Sequence, residues 1–123
     1  MVKLVVDEAG SAELRDLVTR TNVVSCSLLR TELRRAAARV RTADVRPLTE
    51  EVLARAGILL LDNATLDRAG ALSPPTMRSL DAIHLAAALR FSQEISAVVT
   101  YDARMATAAR LHGFDVWSPG AGL

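Results

Sequence analysis

At 123 residues, with half of its side chains apolar, the chain suits one globular domain, 1–123, with room for a real core. Fifteen basic against fourteen acidic residues leave a net charge of +1, so global attraction to a polyanion is weak and nucleic-acid contacts must come from local clusters. A single cysteine, Cys26, excludes an intrachain disulfide and a cysteine-rich zinc site, and no apolar run reaches the ~18 residues of a membrane span. With no signal-peptide pattern either, a reducing cytoplasm is the expected setting.

In chain order, Met1-Val2-Lys3-Leu4-Val5-Val6 reads on pattern alone as a strand with Asp7 at its carboxyl end. Ser11 to Val18 predicts a capped helix, Asn22 to Cys26 a short strand, and Ser27 to Arg41 a helix with Leu29, Leu33, Ala36 and Val40 on one face. Val45 to Leu48 is a candidate strand. Thr49 is then expected to cap a helix running towards Leu60, with Glu50 and Glu51 in its first turn. Asp62 to Thr76, interrupted by Gly70 and Pro74-Pro75, predicts a short helix flanked by loops. Ser79 to Leu89 is a nearly apolar helix capped by Ser79. Ala97 to Thr100 predicts a buried strand, Asp102 to His112 a helix ended by Gly113, and Phe114 to Trp117 a last strand. Alternating strands and helices imply an α/β fold with a mostly parallel sheet.

Three acids carry the chemistry. Asp81 is the one carboxylate on an otherwise apolar helix, and an ionised acid facing a core is costly unless it is paired or binds a metal. Its place in a first turn, where free N–H groups and the dipole favour negative charge, also allows plain decoration of the helix start. Asp102 follows a strand, where open α/β sheets place ligands, and capping the next helix is an equal claim on it. Glu32 has Arg35 three residues on, so a surface ion pair is its competing role. Together, Glu32, Asp81 and Asp102 could converge at one end of a parallel sheet. Such an oxygen-only set suits Mg²⁺ or Mn²⁺ and phosphoryl chemistry.

Other features carry less. His84, one turn past Asp81, is expected to be a packed core residue. Fourteen of the fifteen cations are arginine, and Arg30, Arg34, Arg35, Arg39 and Arg41 form either a phosphate-binding stripe or a solvated helix face. One Trp, one Tyr and two Phe give little material for stacking bases. With Lys3 as the sole lysine, a P-loop is excluded, as is a receiver domain, which needs a late lysine; no Gly-x-Gly-x-x-Gly run supports a dinucleotide site.

The segments from Val2 to Leu14, Thr31-Glu32-Leu33, Arg78 to Ala86, Val99-Thr100-Tyr101-Asp102 and Ser118-Pro119-Gly120 resemble a PIN domain, specifically the toxin nuclease of VapBC-type toxin–antitoxin systems. The resemblance implies a PIN-like three-layer fold, a mostly parallel central sheet flanked by helices. It further implies an Mg²⁺- or Mn²⁺-dependent endoribonuclease with Glu32, Asp81 and Asp102 as catalytic metal ligands, RNA as substrate, a cognate antitoxin as partner, and a homodimer. One departure stands out: family members open with a strand ending in a metal-binding Asp, and this chain is expected to lack or replace that strand. Family register makes the segment through Asp7 helical, so Asp7 is left out of the site. A second function follows from the departure, a catalytically weakened PIN-like module that binds a partner without cutting RNA.

Overall fold

The structure is a computed structural model in which residues 10–120 are described. The expectations for Met1 to Val6 and for Asp7 fall outside those residues. The chain divides into two compact units, Met1–Leu59 and Leu60–Leu123.

In the first unit, α1 (Ser11–Arg20) covers the predicted span and runs two residues beyond it, with Gly10 at the cap position and no side-chain capping bond, and it buries Ser11 and Leu14. It is followed by β1 (Val24–Cys26), α2 (Leu29–Ala38), α3 (Arg46–Arg55) and β2 (Gly57–Leu59). Strands β1 and β2 are parallel, with Val24 opposite Gly57, Ser25 opposite Ile58 and Cys26 opposite Leu59. Parallel strands cannot be joined by a tight hairpin, and α2 and α3 make the crossover. The predicted stripe on α2 is buried at Leu29, Leu33 and Ala36, while Val40 lies beyond the helix end. Leu29 and Leu33 pack with Leu53 of α3, and Val45, Val52, Ala56 and Ile58 close around them.

Two expectations for this unit are corrected. No strand forms over Val45 to Leu48, because α3 already begins at Arg46. Pro47 occupies its first turn, where a missing N–H costs nothing and a fixed φ favours the helix. Thr49 is therefore inside the helix rather than capping it, and both its N–H and its hydroxyl donate to the Val45 carbonyl, at 2.9 and 2.8 Å. The helix also stops at Arg55 instead of reaching Leu60, because Ala56 is extended and residues 57–59 are drawn into the ladder with β1. Gly57 suits that close approach: a Cβ there would stand 2.8 Å from Cγ1 of Val24.

The second unit holds α4 (Asn63–Gly70), α5 (Ser79–Arg90), β3 (Val98–Val99), α6 (Ala103–Leu111) and β4 (Val116–Trp117). Helices α4 and α5 meet through small side chains, Ala69 against Ala82 and Ala86. Leu85 joins Met105, Ala108, Ala109 and Phe114 in the larger cluster, which Met77, Ile95, Val98 and Val116 extend. Gly113, at φ 90°, turns the chain out of α6 in a conformation that side chains with a Cβ rarely adopt. Strands β3 and β4 are parallel, Val98 opposite Val116 and Val99 opposite Trp117, with α6 as the crossover.

Here too the structure departs from expectation. Ser79 is the first helical residue of α5 and Arg78 occupies the cap position, with no side-chain capping bond. The strand predicted as buried over Ala97 to Thr100 has two paired residues, and Val99 is 41% exposed because a two-stranded ladder leaves a face uncovered. Both ladders are parallel, as predicted, but among the described residues they form two separate two-stranded sheets rather than one continuous central layer. No helix among the described residues is long and apolar enough to cross a membrane.

Two outcomes test this packing. Leu85→Ala, at a site with no exposure, lowers the free energy of unfolding by about 2–5 kcal/mol in urea denaturation. The second concerns Asp62, whose Oδ1 accepts the Thr65 hydroxyl at 2.7 Å and the Thr65 N–H at 2.8 Å, capping α4. Those two bonds, hydroxyl first, and then Arg90 hold the Asp62 carboxyl below its ordinary value. A lowered folded pKa contributes stability above the unfolded value of roughly 3.9, lost as pH falls through the folded one. Asp62→Asn can still cap but does not titrate, so its thermal midpoint falls less than the parent's as pH drops below about 4.

Candidate functional site

The three predicted carboxylates lie at the start of three helices. Glu32 is in the first turn of α2, Asp81 in the first turn of α5, and Asp102 is the residue from which α6 begins. Glu32 belongs to the first unit and the other two to the second. Burial sets them apart: Glu32, Asp81 and Asp102 are half-buried, whereas every other described Asp and Glu is exposed. Carboxylates gain hydration energy by staying in water, so partial burial of these three needs a compensating interaction.

The competing roles fare differently. No ion pair joins Glu32 to Arg35, and Arg35 is exposed with no charged partner among the described residues. Asp81 starts a helix that is covered on most sides: Ala82, Leu85, Ala86 and Ala87 are buried, and Ile83, His84, Ala88 and Leu89 are half-buried. Asp102 does cap its helix, with Oδ1 accepting the N–H of Arg104 at 2.8 Å and of Met105 at 3.4 Å. Only that oxygen is committed; among the described residues Oδ2 accepts no hydrogen bond. One carboxylate therefore holds the helix start with one oxygen and can offer the other to a ligand.

The loop carrying Asp102 is latched from three sides. Thr100 N–H donates to the Trp117 carbonyl at 3.2 Å, extending the β3–β4 ladder by one bond. Ser118 Oγ donates to the Thr100 carbonyl at 2.6 Å, and Tyr101 Oη donates to the Pro119 carbonyl at 2.6 Å. The Asp102 N–H in turn donates to Thr100 Oγ1 at 3.1 Å. Sequence reasoning marked Thr100-Tyr101-Asp102 and Ser118-Pro119-Gly120 as separate segments and missed that the second fastens the first. Their hydroxyls were the available signal, since side chains of this kind satisfy loop carbonyls near strand ends.

An oxygen-only, half-buried donor set fits a hard dication such as Mg²⁺ by chemistry. Among the described residues no group of three or more His, Cys, Asp and Glu side chains is arranged to hold a metal ion. His84 is half-buried on α5, and His112, at the end of α6, bonds through Nε2 to the Ser73 carbonyl at 2.8 Å.

A PIN domain model matches residues 1–111, and the chain belongs to the PIN domain family. Within it the chain is of the VapC type. It is 36% identical to Ribonuclease VapC47 of Mycobacterium tuberculosis (strain CDC 1551 / Oshkosh), covering 98% of this chain and 93% of that protein. It is 41% identical to Ribonuclease VapC46 of Mycobacterium tuberculosis (strain ATCC 25618 / H37Rv), over 97% and 92% of the two chains. With Ribonuclease VapC35 of the same species the identity is 37%, over 98% and 92%. No solved structure matches the chain at a significant level.

The double role of Asp102 separates by substitution. Asp102→Ala removes the cap and lowers stability by about 1 kcal/mol, while Asp102→Asn, an equally good cap, changes it by no more than a few tenths. Thermal and urea unfolding of the two variants measures the difference.

Proposed function

We propose that this chain is an Mg²⁺-dependent endoribonuclease, the toxin of a toxin–antitoxin pair, and that residues 1–123 act as one PIN domain. Membership of the family and the ribonuclease names of its relatives support the reaction class. The observation that carries the reading at residue level is the selective half-burial of Glu32, Asp81 and Asp102. These three would hold Mg²⁺, or Mn²⁺ in its place. When bound, such a metal supplies an activated water at neutral pH and offsets charge on the phosphodiester.

The protein's part is positioning. Asp102 is fixed by the latch and by its own cap bonds, Asp81 by the covered helix behind it, and Glu32 by the Leu29, Leu33 and Leu53 cluster beneath α2. No side chain need act as nucleophile, and His84 is assigned a packing role. A cognate antitoxin that covers the carboxylates, a homodimer and a cytoplasmic location complete the proposal.

A second reading, a PIN-like module that binds its antitoxin without cutting RNA, draws on the absence of a three-acid metal group among the described residues. Cleavage decides between the two. The chain is expected to cut single-stranded RNA in Mg²⁺, to stop in EDTA, and to lose the activity as Asp81→Asn. Normal cleavage by Asp81→Asn would overturn the site. Antitoxin binding by the unmodified chain without metal-dependent cleavage would establish the second reading.

A further inference from the structure

Pro119 interrupts a hydrogen-bonding pattern at the strand end that carries Asp102. In a parallel ladder, a residue that donates its N–H to one carbonyl of the neighbouring strand accepts, at its own carbonyl, the N–H two residues further along that strand. Val98 N–H donates to the Asp115 carbonyl at 2.9 Å, and Thr100 N–H donates to the Trp117 carbonyl at 3.2 Å. The next bond in that register would run from the N–H of residue 119 to the Thr100 carbonyl. Residue 119 is proline and has no N–H to give.

The Ser118 side chain supplies the missing donor, its Oγ donating to the Thr100 carbonyl at 2.6 Å. The Pro119 carbonyl then accepts the Tyr101 hydroxyl at 2.6 Å, and Gly120, at φ 79°, takes the chain into a turn. Three consecutive residues, 117–119, thus hold two consecutive residues, 100 and 101, and the next one is Asp102. All belong to the second unit. Thr100, Tyr101, Ser118 and Pro119 are half-buried, so water replaces a lost partner there incompletely.

The fastening reaches the acid through short links. The β3–β4 ladder has only two paired residues and gives little restraint by itself. Asp102 N–H donates to Thr100 Oγ1 at 3.1 Å, and Oδ1 is held by the N–H groups of Arg104 and Met105. The place of Oδ2 therefore follows the place of the Thr100 backbone. Mg²⁺ demands oxygen ligands at about 2.0–2.1 Å in near-ideal octahedral geometry, so a small displacement of such an oxygen is felt. The PIN domain model ends at residue 111, and the turn that fastens Thr100 and Tyr101 lies beyond it.

We propose that Ser118, supported by Tyr101, is a positioning residue for Asp102: its hydroxyl replaces the ladder bond that Pro119 cannot make and so fixes the carboxylate oxygen offered to a divalent cation. The role rests on the metal-site reading above and deepens it.

The test uses the full-length chain with Mn²⁺ alone as the probe, free Mn²⁺ being read by electron paramagnetic resonance. Ser118→Ala weakens Mn²⁺ binding about tenfold, the loss that follows removal of a group orienting a metal ligand. Ser118→Thr keeps the hydroxyl and restores most of the affinity. Tyr101→Phe weakens binding by about fivefold, the worth of one neutral hydrogen bond. Asp62→Ala, which removes the α4 cap in the same unit without touching this loop, is the control for lost stability and leaves Mn²⁺ affinity unchanged. In RNA cleavage, Ser118→Ala lowers kcat at limiting Mg²⁺, leaves KM for RNA unchanged, and approaches the parent as Mg²⁺ is raised. Far-ultraviolet circular dichroism checks folding, and Tyr101→Phe with Ser118→Thr carries the test should Ser118→Ala not fold. Parent affinity in Ser118→Ala and Tyr101→Phe, or an equal loss in Asp62→Ala, overturns this inference and leaves the nuclease reading standing. A parent chain that binds no Mn²⁺ removes both.

Discussion

Parallel pairing is the constraint from which this molecule is built. Two parallel strands must be joined by a segment that returns to the same end, so each ladder is a strand, a helical crossover and a strand: β1 to β2 through α2 and α3, and β3 to β4 through α6. Every such unit sends the chain from the carboxyl end of a strand into the start of a helix. That junction gathers outward-pointing N–H groups, and acids collect there. Glu32 follows β1, Asp62 follows β2 and Asp102 follows β3.

What separates these acids is how fully the surroundings satisfy them. Asp62 is exposed and engaged by Thr65 and Arg90, and has the character of a structural cap. Asp102 is half-buried and uses a single oxygen for the same task. Asp81 reaches a helix start by another route, from a loop rather than a strand, and it is the one carboxylate on a helix with four buried residues. The same electrostatic preference thus produces caps and candidate ligands, and the unused oxygen distinguishes them.

Much of this was legible in the residues. The 3.6-residue spacing of Leu29, Leu33 and Ala36 gave α2, the Gly113 cap gave the end of α6, and the isolation of Asp81 on an apolar helix drew attention to it before any fold was known. The errors came where two local preferences competed. Thr49 followed by two glutamates resembles a helix start, but Pro47 two residues earlier is a stronger one, and the true helix begins before both. Val45 and Leu48 suggest a short strand, but Gly57 to Leu59 formed one instead, because pairing with β1 is a long-range event that no window of sequence contains. The pairing of Arg34 was hidden for the same reason. Periodicity places Arg34 and Arg35 side by side on α2, and only the position of Glu50 on α3 shows that one is spent and the other is not.

The ladder that carries Asp102 also contains the chain's single tryptophan. Trp117 sits on β4 opposite Val99, is 41% exposed, and its carbonyl receives the Thr100 N–H two residues from the acid. Intrinsic indole emission from this molecule therefore arises from one place, against the loop that holds the carboxylate. A shift in its colour or intensity registers rearrangement of that loop without any attached dye, so the protein carries its own optical gauge of the ground on which Asp102 stands.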